Sequence, residues 1–180
     1  MTTVESIIVG IVEGITEYIP ISSTGHMIIA EKMLDISDDD FTKVFTVAIQ
    51  LGAILAVVVL YWKKFFNFKN WQFYAKIAVG VIPALLLGYL FSDRIDAMLE
   101  STLTVAISLL AGGFILLFID NVFKNPKIEK EEDVSFLNAI IIGTWQCIAM
   151  IPGISRSAAS IIGGMQQKLT RSAGSISGYL

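Results

Sequence analysis

Long apolar runs alternate with short charged tracts along this chain, and two of the runs are broken from within. Val44 to Trp62, Phe73 to Phe91 and Leu103 to Ile119 continue without interruption. At ~1.5 Å per residue each reaches the ~30 Å of a bilayer core, so each is predicted to be a membrane-spanning helix. Residues 4–29 and 136–165 are different. The first holds Pro20 and then Ser22-Ser23-Thr24-Gly25; the second holds Pro152-Gly153 and then Ser155-Arg156-Ser157. Neither half of either segment can cross alone. The pattern predicts two re-entrant helical hairpins, whose irregular backbone is tolerated because it lines a protein-enclosed cavity.

Composition agrees with this reading, since 54% hydrophobic and 16% charged residues with a mean hydropathy of +0.70 are too apolar for an ordinary soluble domain. The expectation is an all-α integral membrane protein forming a single membrane domain over residues 1–180. Tyr61, Trp62 and Trp71 suit an interfacial aromatic belt, Pro83 should kink its helix, and Lys76 can snorkel. Lys63, Lys64 and Lys69 in one loop and Lys124, Lys127 and Lys130 in another mark the cytoplasmic side. The loop with Arg94 and the acidic segment with Glu31, Asp35 and Asp38-Asp39-Asp40 should face outward, the aspartates as a solvated loop rather than a cation site. Cys147 alone permits no internal disulfide and reads as a packing residue. No cleavable leader is expected, because the N-terminus lacks a basic region and Glu13 and Glu17 interrupt its apolar run.

The broken segments align with each other without gaps at a shift of 133 positions. Gly10 falls on Gly143, Ser22 on Ser155 and Glu13 on Gln146, among several isoleucine pairs. Three spans lie between the hairpins, an odd number, so the hairpins should enter from opposite faces. That describes an inverted-topology repeat: residues 1–119 as a first repeat with its three spans and 136–180 as an incomplete second, with the site near the midplane where the broken helices meet.

The chemistry concentrates at those breaks. Glu13 and Glu17 are one helical turn apart and share a face, and ionisable groups at membrane depth point to a buried polar cavity. Helix starts favour anions, and Arg156 adds a fork of donors suited to phosphate oxygens, with Ser22, Ser23, Ser155 and Ser157 supplying hydroxyls. Two carboxylates beside a phosphate need an intervening divalent cation, Mg²⁺ or Ca²⁺, with Glu13 and Glu17 as ligands. The plainer alternative is that Glu13, Glu17 and Arg156 pair to hold the hairpins together.

Glu13-Gly14-Ile15-Thr16-Glu17-Tyr18-Ile19-Pro20-Ile21-Ser22-Ser23-Thr24-Gly25-His26 and Pro152-Gly153-Ile154-Ser155-Arg156-Ser157 closely resemble the two signatures of the bacterial undecaprenyl-diphosphate phosphatases, also called bacitracin-resistance proteins. Ile49 to Ala56 and Gly143 to Cys147 also look like family sequence. The resemblance implies a plasma-membrane hydrolase that removes the terminal phosphate of undecaprenyl diphosphate at the outer face, recycling the carrier for peptidoglycan synthesis. It implies catalytic roles for Glu13, Glu17, Ser23, His26 and Arg156, with Ser22, Thr24, Gly25, Ser155 and Ser157 binding substrate. Ser23 is read as nucleophile or phosphate ligand and His26 as its proton partner, with His26 or water as alternative nucleophiles. The partners are a polyprenyl diphosphate lipid and the bilayer, not nucleic acid, with a homodimer among the assemblies considered. Family members continue after Met165 into three more spans, so the second repeat reads as unfinished and the 180-residue chain is expected to hydrolyse poorly alone. A carrier or flippase for an anionic lipid phosphate is the other functional class this architecture admits, and an inactive remnant is a third.

Overall fold

The computed structural model describes residues 1–66, 71–99, 101–123, 126–129 and 133–170, of residues 64 and 65 the backbone alone. Lys69, Lys124 and Lys130, together with residues 171–180, lie outside the described residues. The fold is all-helical, in chain order α1 (Thr3–Thr16), α2 (Ser23–Met33), α3 (Asp40–Leu60), α4 (Trp62–Phe65), α5 (Trp71–Leu90), α6 (Ser92–Leu99), α7 (Thr102–Val122), α8 (Phe136–Gln146), a 3-10 turn (Cys147–Met150) and α9 (Arg156–Gln166). Among the described residues α3, α5 and α7 are the three helices long and apolar enough to cross a membrane. Each starts before its apolar run. In α3 and α7 a polar cap outside the run sets the start: Asp39 accepts from the Phe41 amide, and Ser101 from the Thr104 amide. The acidic run at 38–40 is thus partly a helix cap. Pro83 lies inside α5, and Ser92–Leu99, expected as loop, forms the short helix α6 with Asp93 in its first turn.

The two broken segments fold as helical hairpins, α1 against α2 and α8 against α9. Their correspondence extends to the caps. Thr2 and Glu5 form a capping box at the start of α1, and Ser135 and Asn138 form one at the start of α8, each pair 133 positions from its counterpart. The second helices start at Ser23 and Arg156 and end at Met33 and Gln166, again 133 apart, with Ser22 and Ser155 as N-caps. The first hairpin keeps its helix regular to Thr16, whereas α8 tightens into the 3-10 turn before its break.

Packing then brings the two breaks together. α7 packs on α2, α5 on α8, and α3 on α1. A Cβ on Gly25 would meet the Gly153 Cα and the Leu109 side chain at 3.1 Å, and one on Gly153 would meet the Val105 carbonyl oxygen at 2.5 Å. Gly153 also has φ of +95°, where side chains are strained. Both hairpin tips therefore rest on one stretch of α7, Val105 to Leu109. A second close approach joins α5 to α8, where a Cβ on Gly143 would overlap the Gly80 carbonyl oxygen. Small residues let membrane helices approach in this way without help from water.

The connector before α8 is stitched to the residues after α9: Lys127 and Ile128 amides donate to the Lys168 carbonyl at 2.8 and 3.0 Å, and the Thr170 amide to Ile128 at 2.9 Å. Ile142 and Leu169 are buried beside it with Ile128 and Val134. This link closes the base of the second hairpin.

The glycine contacts give a direct expectation. Gly153→Ala and Gly143→Ala should each destabilise the protein by at least about 2 kcal/mol, through strain and backbone clash. Gly14→Ala, with nothing within 4 Å of the added methyl, should be tolerated. Thermal melts in detergent check the contrast.

Candidate functional site

A cavity of about 340 Å³ opens between the hairpin tips, α3 and the end of α6. Its polar wall contains Glu17, Ser22, Ser23 and Thr24 from the first hairpin and Ser155, Arg156 and Ser157 from the second, with Gln50 entering from α3. Seven of the ten sequence-predicted site residues thus face one space, drawn from both motifs. Both second helices begin at this space. Ser22 accepts from the Gly25 amide at 3.4 Å and Ser155 from the Ala158 amide at 3.2 Å, while the earlier amides of each first turn have no intrahelical acceptor. Two helix starts give the cavity a positive backbone lining.

Ser22 holds φ of 63°, a left-handed conformation unusual for a side-chain-bearing residue. Its counterpart Ser155 is extended at φ of −73°. The second break places its own positive φ at Gly153, the position matching Pro20. Backbone strain held by surrounding structure is characteristic of functional turns.

The Ser23 hydroxyl donates to the Glu17 Oε2 atom. Ser23 is buried and Glu17 half-buried at the cavity wall. His26 was expected as the proton partner of Ser23, but the geometry differs. Its Nδ1 lies 2.8 Å from the Ser22 carbonyl oxygen, one helical turn back, and it is not among the cavity-lining residues. A carbonyl can only accept, so Nδ1 carries the proton and a neutral ring keeps Nε2 as its base. Gly25 does not line the cavity either; its role is the contact with Gly153.

Glu13 lies one turn behind Glu17, only 2% exposed, in the buried stripe of α1 with Val9 and Thr16. Neither of its carboxylate oxygens has a hydrogen-bond partner. Its counterpart Gln146 is neutral and satisfied, its amide donating to the Ser160 hydroxyl at 2.8 Å. Among the described residues Arg156 forms no ion pair with either glutamate, and it is exposed at the cavity wall. The pairing alternative is therefore not the arrangement found.

An unpartnered buried carboxylate is costly unless it is protonated or meets a cation. The described residues contain no group of three or more His, Cys, Asp or Glu that could hold a metal by themselves. Glu17 at the cavity wall, with the unpartnered Glu13 one turn behind it, fits the manner in which Mg²⁺ is held, by one or two carboxylates plus phosphate oxygens.

Gln50 is the site residue that the span reading passed over. Its amide donates to the Thr24 hydroxyl at 3.1 Å. The available signal was an amide in the middle of an apolar span, which membrane energetics rarely leaves without a partner. Cys147, at the start of the 3-10 turn, donates to the Gly143 carbonyl of α8 at 3.3 Å and stands apart from the cavity.

Three apolar spans around two broken hairpins, with acids on one tip and a guanidinium on the other, define a multi-pass membrane protein with a polar site enclosed by its own helices. The chain belongs to the family described as bacitracin resistance protein BacA, which it matches over residues 6–177. It is 56% identical over 172 residues to the undecaprenyl-diphosphatase of Flavobacterium johnsoniae, covering 95% of this chain and 64% of that protein. To the undecaprenyl-diphosphatase of Flavobacterium psychrophilum it is 58% identical over 171 residues, with the same coverage of 95% and 64%. The protein of that name from Bdellovibrio bacteriovorus is 47% identical over 167 residues, with 92% and 63% covered. The chain thus spans a little under two thirds of the length of these relatives.

The unpartnered acid makes a stability experiment informative. Without divalent cations Glu13→Gln should melt at or above the parent, because a neutral amide is cheaper to bury than a carboxylate. Mg²⁺ should raise the melting temperature of the parent and leave that of Glu13→Gln unchanged.

Proposed function

We propose that this chain carries the catalytic centre of an undecaprenyl-diphosphate phosphatase, hydrolysing the lipid diphosphate to undecaprenyl phosphate and inorganic phosphate at the outer face of the bacterial plasma membrane. The observation that carries the reading is the Ser23 hydroxyl bonded to Glu17 at the start of α2, inside a cavity shared with Arg156. The names of the Flavobacterium relatives support the substrate. The apolar side of the cavity, with Ile54, Val57 and Val58 of α3, suits the first isoprene units of such a lipid.

In this mechanism Glu17 takes the Ser23 proton as Ser23 Oγ attacks the terminal phosphorus. The bond to the bridging oxygen breaks, and undecaprenyl phosphate leaves. Glu17 passes that proton to the departing bridging oxygen, takes another from the water that cleaves the phosphoserine, and returns it to Ser23 Oγ as inorganic phosphate is released. Arg156 and the first-turn amides of α2 and α9 hold the charge on the transferred group, the dominant requirement in phosphoryl transfer. A divalent cation held by Glu13 and Glu17 would neutralise the repulsion between carboxylates and substrate. His26, folded onto the Ser22 carbonyl, fixes the strained turn that aims Ser23.

The hairpins are re-entrant in this reading and enter from opposite faces, since α3, α5 and α7 separate them. The lysines at 63 and 127 support a cytoplasmic side for their loops, which would put α6 at the outer surface.

Hydrolysis is tested by phosphate release from undecaprenyl diphosphate with Mg²⁺, using the purified chain and a version extended to the length of the relatives. Ser23→Ala, Glu17→Gln and Arg156→Ala should each lower the rate by roughly two orders of magnitude or more in whichever form is active. No release by either form, or transbilayer movement of the lipid without release, would overturn the proposal in favour of an inactive protein or a carrier. Topology has its own test in a Cys147→Ala background. Cysteines at Asp39 and Asp96 should react with an impermeant thiol reagent added outside, and cysteines at Lys63 and Lys127 should not.

A further inference from the structure

Between Val44 and Leu60, α3 carries polar side chains only at Thr46 and Gln50. One turn apart, they share a face, and both bond to the same helix of the first hairpin. The Thr46 hydroxyl donates to Glu31, and the Gln50 amide donates to the Thr24 hydroxyl at 3.1 Å. The two bonds differ in place. Gln50 and Thr24 line the cavity, whereas Thr46 and Glu31 do not.

A threonine hydroxyl has one hydrogen and two acceptor lone pairs. Gln50 occupies a lone pair, so the hydrogen must be directed elsewhere. Thr16, also on a helix of this hairpin, turns its hydroxyl back to the Val12 carbonyl at 2.6 Å. For Thr24 no protein acceptor for that hydrogen is present among the described residues. Its β-branched side chain is stiff, and the partner on α3 selects its direction. Thr24 is also the second residue of α2, beside the amides that face the cavity.

We propose that Gln50 is a positioning residue for the site: it holds Thr24 so that the threonine hydroxyl donates to a phosphoryl oxygen bound at the start of α2. The inference rests on the reading of the cavity as a phosphate site. It assigns a membrane span, otherwise a wall, a part in anion recognition. Gln50 itself donates to Thr24 and acts on the anion through it.

The test is a double-mutant cycle on the purified chain, measuring binding of inorganic pyrophosphate with Mg²⁺ by isothermal titration calorimetry. Gln50→Leu and Thr24→Val should each weaken binding about tenfold, the scale of one hydrogen bond to a charged group. The double variant should bind no more weakly than Thr24→Val alone, because both changes remove the same bond. Thr46→Val removes the neighbouring α3 to α2 bond away from the cavity. It should lower the melting temperature and leave pyrophosphate affinity unchanged. Parent-like affinity in Gln50→Leu, additive losses in the double variant, or an equal loss in Thr46→Val would overturn this inference alone. Absence of pyrophosphate binding by the parent would overturn the phosphate-site reading and this inference with it.

Discussion

The contact on which this architecture depends is the meeting of two glycines on a third helix. Gly25 and Gly153 lie against each other and against Val105 to Leu109 of α7, with no room for a side chain at Gly153 and a tight fit for one at Gly25. Remove that approach and the starts of α2 and α9 no longer face one cavity. Because lipid offers no hydrogen bonds, the broken backbone of each hairpin also depends on the other parts of the protein for enclosure. The same close packing that permits the breaks therefore creates the site.

Low dielectric surroundings make each polar choice at that site consequential. In the second hairpin the buried position on the first helix is an amide with a hydroxyl partner. In the first it is a carboxylate with none. A protein optimised for stability alone would use the first solution twice. Retaining an unpartnered acid beside Glu17 and Ser23 is understandable where charge or a bound cation is needed.

Much of the scaffold was legible in the chain. Length and apolarity identified the spans, and Pro20, Pro152 and Gly153 identified the breaks, because these residues act locally. Helix bounds were less legible, since Asp39 and Ser101 extend regular structure beyond the apolar runs. The eight residues of α6 lack enough turns to declare a period. Seven of the motif residues line one cavity, yet that Ser23 bonds to Glu17 and not to His26 depends on how a ring folds back onto Ser22. No spacing rule encodes that rotation. Gln50 and the Ile128 to Leu169 link were hidden for a related reason, as each acquires meaning only from a residue distant in sequence.

The two hairpins share their caps, their helix bounds and their serine starts, so the fold could have produced a site with two equivalent ends. Its side chains break that equivalence. Glu13, Glu17 and Ser23 occupy one end, while Gln146, Met150 and Arg156 occupy the matching positions at the other. A guest with two similar phosphoryl groups therefore finds a polarised slot rather than a symmetric one. Pseudo-symmetry supplies the enclosure, and its violation at three positions supplies direction.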